Sequence, residues 1–155
     1  MSPPPSSTFR LATLADLPTV LALLAEDAIA RERSGYAVEV SPAVRAAFDE
    51  ISADPNNELL VGEREGEVIA CLQLTYIPGL SRGGMRRALV EAVRVRADLR
   101  GQRIGEQLME EAMARARARG CGLIQLTTDK RREAAHRFYA RLGFEASHEG
   151  MKRPL

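Results

Sequence analysis

The sequence predicts a single α/β domain with a mixed, mostly antiparallel sheet flanked by helices. Three observations lead there. At 155 residues the chain is long enough for one domain that buries about two thirds of its unfolded surface. Segments of helical period and short apolar runs follow the order β-α-α-β-β-β-α-β-α-β, which mixes antiparallel with crossover connections. Midway, Arg64-Glu65-Gly66 joins two apolar runs directly, a hairpin signal.

Each element has a local reason. The Ser/Pro-rich opening Met1–Ser7 reads as a disordered tail, leaving residues 8–155 as the domain. Phe9–Ala12 forms a short first strand. Thr13-Leu-Ala-Asp16 resembles a capping box, with aspartate for the usual Glu/Gln, ahead of Leu17, Val20, Leu21 and Leu24. That stripe predicts a first helix over Leu14–Ile29. Ser41-Pro42 supplies an N-cap and first-turn proline for a second helix through Ala53, and Asp54-Pro-Asn-Asn57 breaks it. Glu58–Glu63 and Glu67–Tyr76 are the hairpin strands. Pro78–Gly84 is a loop, Met85–Val95 the next strand. The helix Ile104–Arg119 carries its acids early and its arginines late, as the macrodipole favours, and Gly120 ends it. Leu123–Thr128 is a strand, Arg132–Leu142 a helix closed by Gly143, and Phe144–Glu149 a final strand.

Bulk properties narrow the function. Lys+Arg 22 against Asp+Glu 21 leaves a charge of +1, which argues against a general nucleic-acid or membrane-surface binder. Cys71 and Cys121 are far apart, and no apolar run approaches the ~18 residues of a membrane span, so a reduced cytoplasmic setting is expected. His136 and His148 do not make a histidine-rich metal site.

The most informative stretch is Arg100-Gly-Gln-Arg-Ile-Gly-Glu-Gln-Leu108, between the apolar run Ala88–Val95 and the helix Ile104–Arg119. A strand turning through glycines into a helix leaves backbone N–H groups outward at the positive end of the dipole, a seat for phosphate oxygens. Gly101 and Gly105 permit close backbone approach, and Arg100 and Arg103 suit forked phosphate contacts. A P-loop needs Gly-Lys-Ser/Thr and a dinucleotide fingerprint needs Gly-x-Gly-x-x-Gly; neither occurs. The alternative is a plain glycine turn with solvated arginines.

Two residues stand out for chemistry. Alternation places Leu89, Glu91, Val93 and Val95 on one strand face, so Glu91 is a carboxylate in an apolar row. Burial would raise its pKa toward that of a neutral-pH base; the alternative is an edge glutamate paired with Arg94 or Arg87. Tyr139 lies on the apolar stripe of the last helix. Its phenol, near pKa ~10, could protonate a thiolate of pKa ~8.5, or could simply fill the core.

These motifs together resemble the GNAT-superfamily N-acetyltransferases, from Phe9 to Lys152. The family's Gln/Arg-x-x-Gly-x-Gly/Ala is matched at Arg100 and Gly105, with Arg103 in place of the middle glycine. Glu91-Ala-Val-Arg-Val95 resembles the fourth strand, and Ala135-His-Arg-Phe-Tyr139-Ala-Arg-Leu-Gly143-Phe144 the A-x-x-x-Y-x-x-x-G-F segment. The resemblance implies a GNAT-like fold and acetyl-CoA as donor. It seats the pyrophosphate on the N–H groups of Gln102, Arg103, Ile104, Gly105 and Glu106, beside Arg100 and Gly101. The pantetheine arm runs along Val93, Arg94 and Val95, with a strand N–H near Val93 facing the oxyanion. Arg132 stands where many members have asparagine near the thioester. Glu91 becomes the candidate base and Tyr139 the candidate acid, acting on a small-molecule amine bound between Glu26, Asp27, Arg31, Tyr36 and the loop Tyr76–Gly84. A homodimer is also implied. The competing class is a non-catalytic acyl-CoA-binding or sensor domain.

Overall fold

The computed structural model describes residues 5–26 and 39–155. One five-stranded sheet has the order β1-β2-β3-β4-β5: Thr8–Leu11, Asn57–Arg64, Glu67–Ile77, Arg86–Val95 and Cys121–Leu126. The first four strands pair antiparallel and β5 runs parallel to β4, so the sheet is mixed as expected.

Helices cover both faces. Helix α1 (Leu17–Ala25) sets Val20 and Leu23 against Val61 and Cys71 on one face, joined there by α2 (Pro42–Ala53). Helix α3 (Ile104–Ala118) sets Ile104, Leu108, Met109, Ala112 and Ala116 against Leu60, Leu72, Leu74, Ala88 and Val90 on the other. Phe138, Tyr139 and Leu142 from α4 (Glu133–Arg141) and its C-cap close that layer. Each fully buried Leu, Ile or Met contributes ~1.5–3 kcal/mol, which is why this two-sided arrangement outweighs weak local preferences. No helix of the described residues is long and apolar enough to cross a membrane.

The helix starts follow local chemistry. Ser41 Oγ accepts from the Val44 N–H at 3.2 Å, with Pro42 in the first turn. At the first helix, Leu14–Asp16 form a 3-10 turn before α1. Asp16 accepts from the Thr13 N–H at 2.7 Å and from both terminal nitrogens of Arg10 at 2.6 and 3.0 Å. The Arg10 guanidinium, chiefly, pulls Asp16 from an ordinary 3.8 to about 2. The expected run of this helix to Ile29 continues outside the described residues, as do Asp27, Arg31 and Tyr36.

Two expectations fail. Phe144–Glu149 is not a strand, so β5 is the sheet edge among the described residues. The chain is diverted by the end of α4. Gly143 takes φ 92°, its N–H bonds the Ala140 carbonyl at 3.0 Å, and the Phe144 N–H reaches the Tyr139 carbonyl at 3.0 Å. That Schellman closure holds the Phe144 ring edge-on to Tyr139, 5.8 Å between centroids. The strict alternation assigned to β4 also fails. Cys71 pairs with Arg94 but Gln73 with Glu91, so one extra residue enters β4, and Ala92 takes φ 55°. This bulge reverses the side-chain phase. Before it Ala88 and Val90 pack with α3; after it Val93 and Val95 do.

Candidate active site

The parallel pairing of β4 with β5 ends at Val90 and Leu126. From Glu91 to Val95, β4 pairs with β3 alone among the described strands, so its other backbone edge is left open beyond the end of the β5 pairing. The bulge at Ala92 lies at the start of that opening. An extended ligand arm has there a row of peptide groups to pair with.

The opening leads to the start of α3. Gln107 is the first residue whose N–H bonds within the helix, to the Arg103 carbonyl at 3.1 Å, which leaves the N–H groups of Ile104, Gly105 and Glu106 at the free end. Gly101 at φ 82° and Arg103 at φ 65° turn the chain into the helix. Arg103 thus takes the left-handed conformation that a glycine adopts without strain. Its side chain does not cover the turn: it is 78% exposed and lies back on Glu106, at 3.0 and 3.3 Å. Arg100, Gly101 and Gln102 are exposed beside it, and Arg64 at the end of β2 donates to Gln102 Oε1 at 3.1 Å. A Cβ on Gly105 would meet Phe138 at 3.4 Å and Val95 at 3.6 Å. This glycine therefore lets α3 sit close to α4 and β4, and a side chain there would press on packing as well as on a ligand.

Tyr139 is half-buried against the α3-side core, tilted against Phe138 with 5.1 Å between centroids. Burial raises its phenol above the ordinary value, opposed by the nearby charges of Arg94 and Arg132. Arg94 Nη1 donates to the Val93 carbonyl at 2.8 Å, and its charge also reaches Cys71 on β3. Arg132 is half-buried at the N-cap of α4. Cys71 is fully enclosed, and burial pushes its thiol up to about 12, which makes it an inert packing residue.

Glu91 is where the sequence-based picture needs most correction. It is exposed, and because of the bulge it lies on the face opposite Val93 and Val95. The argument from burial in an apolar row does not hold. It keeps company instead with Gln73, its cross-strand partner, and with Asn57 and Thr75 on the α2 side of the sheet. Asn57 Oδ1 accepts from Thr75 Oγ1 at 2.9 Å and Gln73 Nε2 at 3.3 Å. Sequence reasoning missed this polar group, although its signal was present: polar residues at alternate positions of strands otherwise apolar. The bulge left no comparable signal, since Ala92 is not a residue that favours positive φ.

The matching family model, the Acetyltransferase (GNAT) family, spans residues 22–144. Over 144 residues the chain is 34% identical to an aminoalkylphosphonate N-acetyltransferase of Salmonella typhimurium, covering 93% of this chain and 88% of that one. It is 31% identical to an L-methionine sulfoximine/L-methionine sulfone acetyltransferase of Pseudomonas aeruginosa, with 92% and 82% covered. Among solved structures, one described as a transcriptional regulator from Bacillus halodurans C-125 superposes with a TM-score of 0.92 at 46% identity, covering 97% of this chain and 100% of that one. The chain belongs to the GNAT acetyltransferase family. It is accordingly an acetyl-CoA-dependent N-acetyltransferase, which decides between the enzyme and the non-catalytic binding domain.

Proposed function

We propose that the protein moves the acetyl group of acetyl-CoA to a primary amine of a small molecule by direct attack. The observation that carries this is the open edge of β4 from Glu91 to Val95, continuous with the free N-terminus of α3. Pyrophosphate oxygens take the N–H groups of Gln102 to Glu106, with Arg100 and Arg103 alongside. The pantetheine arm pairs with Val93, Arg94 and Val95, with Arg132 at the far wall. The amine lone pair attacks the thioester carbonyl, whose oxyanion a β4 N–H near Val93 stabilises. The C–S bond then breaks. Tyr139, kept protonated by burial, gives its proton to the departing sulfur and is reprotonated from solvent. The proton lost by nitrogen passes to Glu91, which lies exposed on the acceptor's side of β4, directly or through water.

The relatives named above act on small molecules, one an aminoalkylphosphonate and one an amino-acid sulfoximine or sulfone. This favours a small metabolite-like acceptor over a protein. Self-association is part of the reading, to be checked by light scattering. The deciding experiment measures CoA thiol release from acetyl-CoA with a panel of primary amines that includes aminomethylphosphonate and L-methionine sulfone. Release that depends on both substrates, with the N-acetyl product seen by mass spectrometry, is expected. Release with none of them overturns the reading.

A further inference from the structure

A cavity of about 240 Å³ opens between α2 and the sheet, lined by Ala47, Glu50, Ile51, Asp54, Asn57 and Gln73. It is smaller than the ~300–1,000 Å³ of drug-sized pockets. Its sheet side reaches Gln73, the residue directly across from Glu91. The cavity therefore reaches the strand position next to Glu91, one strand in from the open edge of β4.

The hydrogen bonds along its floor have a fixed direction. The Asp54 carboxylate accepts from the Asn56 N–H at 2.8 Å and from Asn57 Nδ2 at 2.6 Å. Those two bonds hold Asp54 below its ordinary range, so at neutral pH it is ionised and only accepts. The Asn57 atom facing it must then be the NH₂ group, which makes the other end of that amide an acceptor. Thr75 Oγ1 and the Gln73 side chain both meet that oxygen, at 2.9 and 3.3 Å, so each must donate. Gln73 therefore turns its NH₂ to Asn57 and keeps Oε1 at the other end of its amide, where none of the described groups donates to it. One charge at Asp54 sets the polarity of the whole chain.

We propose that this Asp54–Asn57–Gln73 chain makes Gln73 a specificity residue, whose Oε1 accepts a hydrogen bond from the acceptor's amine beside Glu91. Two acceptor groups on neighbouring strands, with Cβ atoms ~4.5–5.5 Å apart in such a pair, select a nitrogen that carries two or more hydrogens. Asn57 and Asp54 are positioning residues: they hold the amide in the orientation that accepts. A rotated Gln73 would instead present a donor and repel the amine's N–H groups. The site is thus matched to a primary amine rather than to an alcohol or a tertiary amine.

The inference rests on the acetyl-transfer reading, and the test separates the two. Wild-type enzyme is first assayed for CoA release with the amine panel; no turnover with any member overturns that reading and this one with it. With turnover established, Gln73→Met is expected to raise KM for the amine about tenfold, the worth of one such hydrogen bond. KM for acetyl-CoA should stay within about twofold. Asn57→Ala, which frees the amide to rotate, should raise the amine KM in the same direction and adds nothing when combined with Gln73→Met. It also carries the test if Gln73→Met does not fold. A variant melting lower with an unchanged amine KM, or two effects that simply add, would assign Gln73 to bracing the sheet and overturn the proposal.

Discussion

Tyr139 and Glu91 occupy opposite sides of β4 and should fail differently when changed. Replacing Tyr139 by Phe keeps the ring contacts with Phe138 and Phe144 and removes only the phenol proton. Turnover should fall by about 10²-fold, the low end for general acid–base work, with acetyl-CoA affinity little changed. A single-turnover assay checks it; wild-type rate would return Tyr139 to packing alone. Glu91→Gln should lower kcat/KM and remove the acidic limb of the pH–rate profile, once the acceptor's own ionisation is allowed for. Persistence of that limb would mean that the amine loses its proton to water without Glu91. Asp16 gives a stability counterpart. Its pKa is depressed in the folded state, so its contribution is complete above about pH 4 and is lost as pH falls toward about 2. Because Arg10 is 39% exposed, solvent screens the pair and ~1–2 kcal/mol is the expected size. Urea unfolding of Asp16→Asn should show that deficit at pH 7 and a flatter loss below pH 4.

At the scale of elements, the proposed site rests on the start of α3 and the bulge in β4. The helix supplies free N–H groups; the bulge carries Val93 and Val95 to the α3 face while Glu91 stays on the other. Arg100 is the residue to change at the helix start, because it is exposed and stands clear of the packing that a side chain at Gly105 would disturb. Arg100→Glu exchanges a cation for an anion at the proposed phosphate seat. Acetyl-CoA binding should weaken by at least about tenfold, from the loss of a charge-assisted hydrogen bond. Calorimetry with unchanged affinity, on a variant whose circular dichroism matches wild type, would remove Arg100 from the seat. Arg103 should matter less than its position suggests, since it is already paired to Glu106 and largely exposed.

For the whole molecule, the two layers meet at a sheet whose α3 face is closed by fully buried Leu60, Leu72, Leu74, Leu108 and Met109. Leu108→Ala should cost about 2–5 kcal/mol, through lost burial and the cavity left behind. Acetyl-CoA should act in the opposite sense. A ligand that binds only the folded chain, at a hundred times its Kd, adds about 2.7 kcal/mol and raises the melting temperature accordingly. Thermal melts with and without acetyl-CoA check this, and an unchanged midpoint would count against a preformed site.

The amino-acid order alone carried the architecture. The caps at Ser41 and Gly143, the hairpin through Glu65 and Gly66, and the amphipathic stripe of α3 are local patterns, and each produced its element within a residue or two. The turn into α3, on which the proposed phosphate seat rests, was legible for the same reason, because a glycine turn into a helix is written in consecutive residues. What needed the tertiary structure was every feature set by contact between distant segments. The extra residue at Ala92 has meaning only against β3, where it reverses the face of Glu91. The expected strand after Gly143 is lost because Phe144 is claimed by Tyr139 of the preceding helix. The polarity of Gln73 is set by Asp54, nineteen positions away, through Asn57. Periodicity records which face a residue would take in an ideal element; only the pairing of strands and the direction of hydrogen bonds decide which face it takes here.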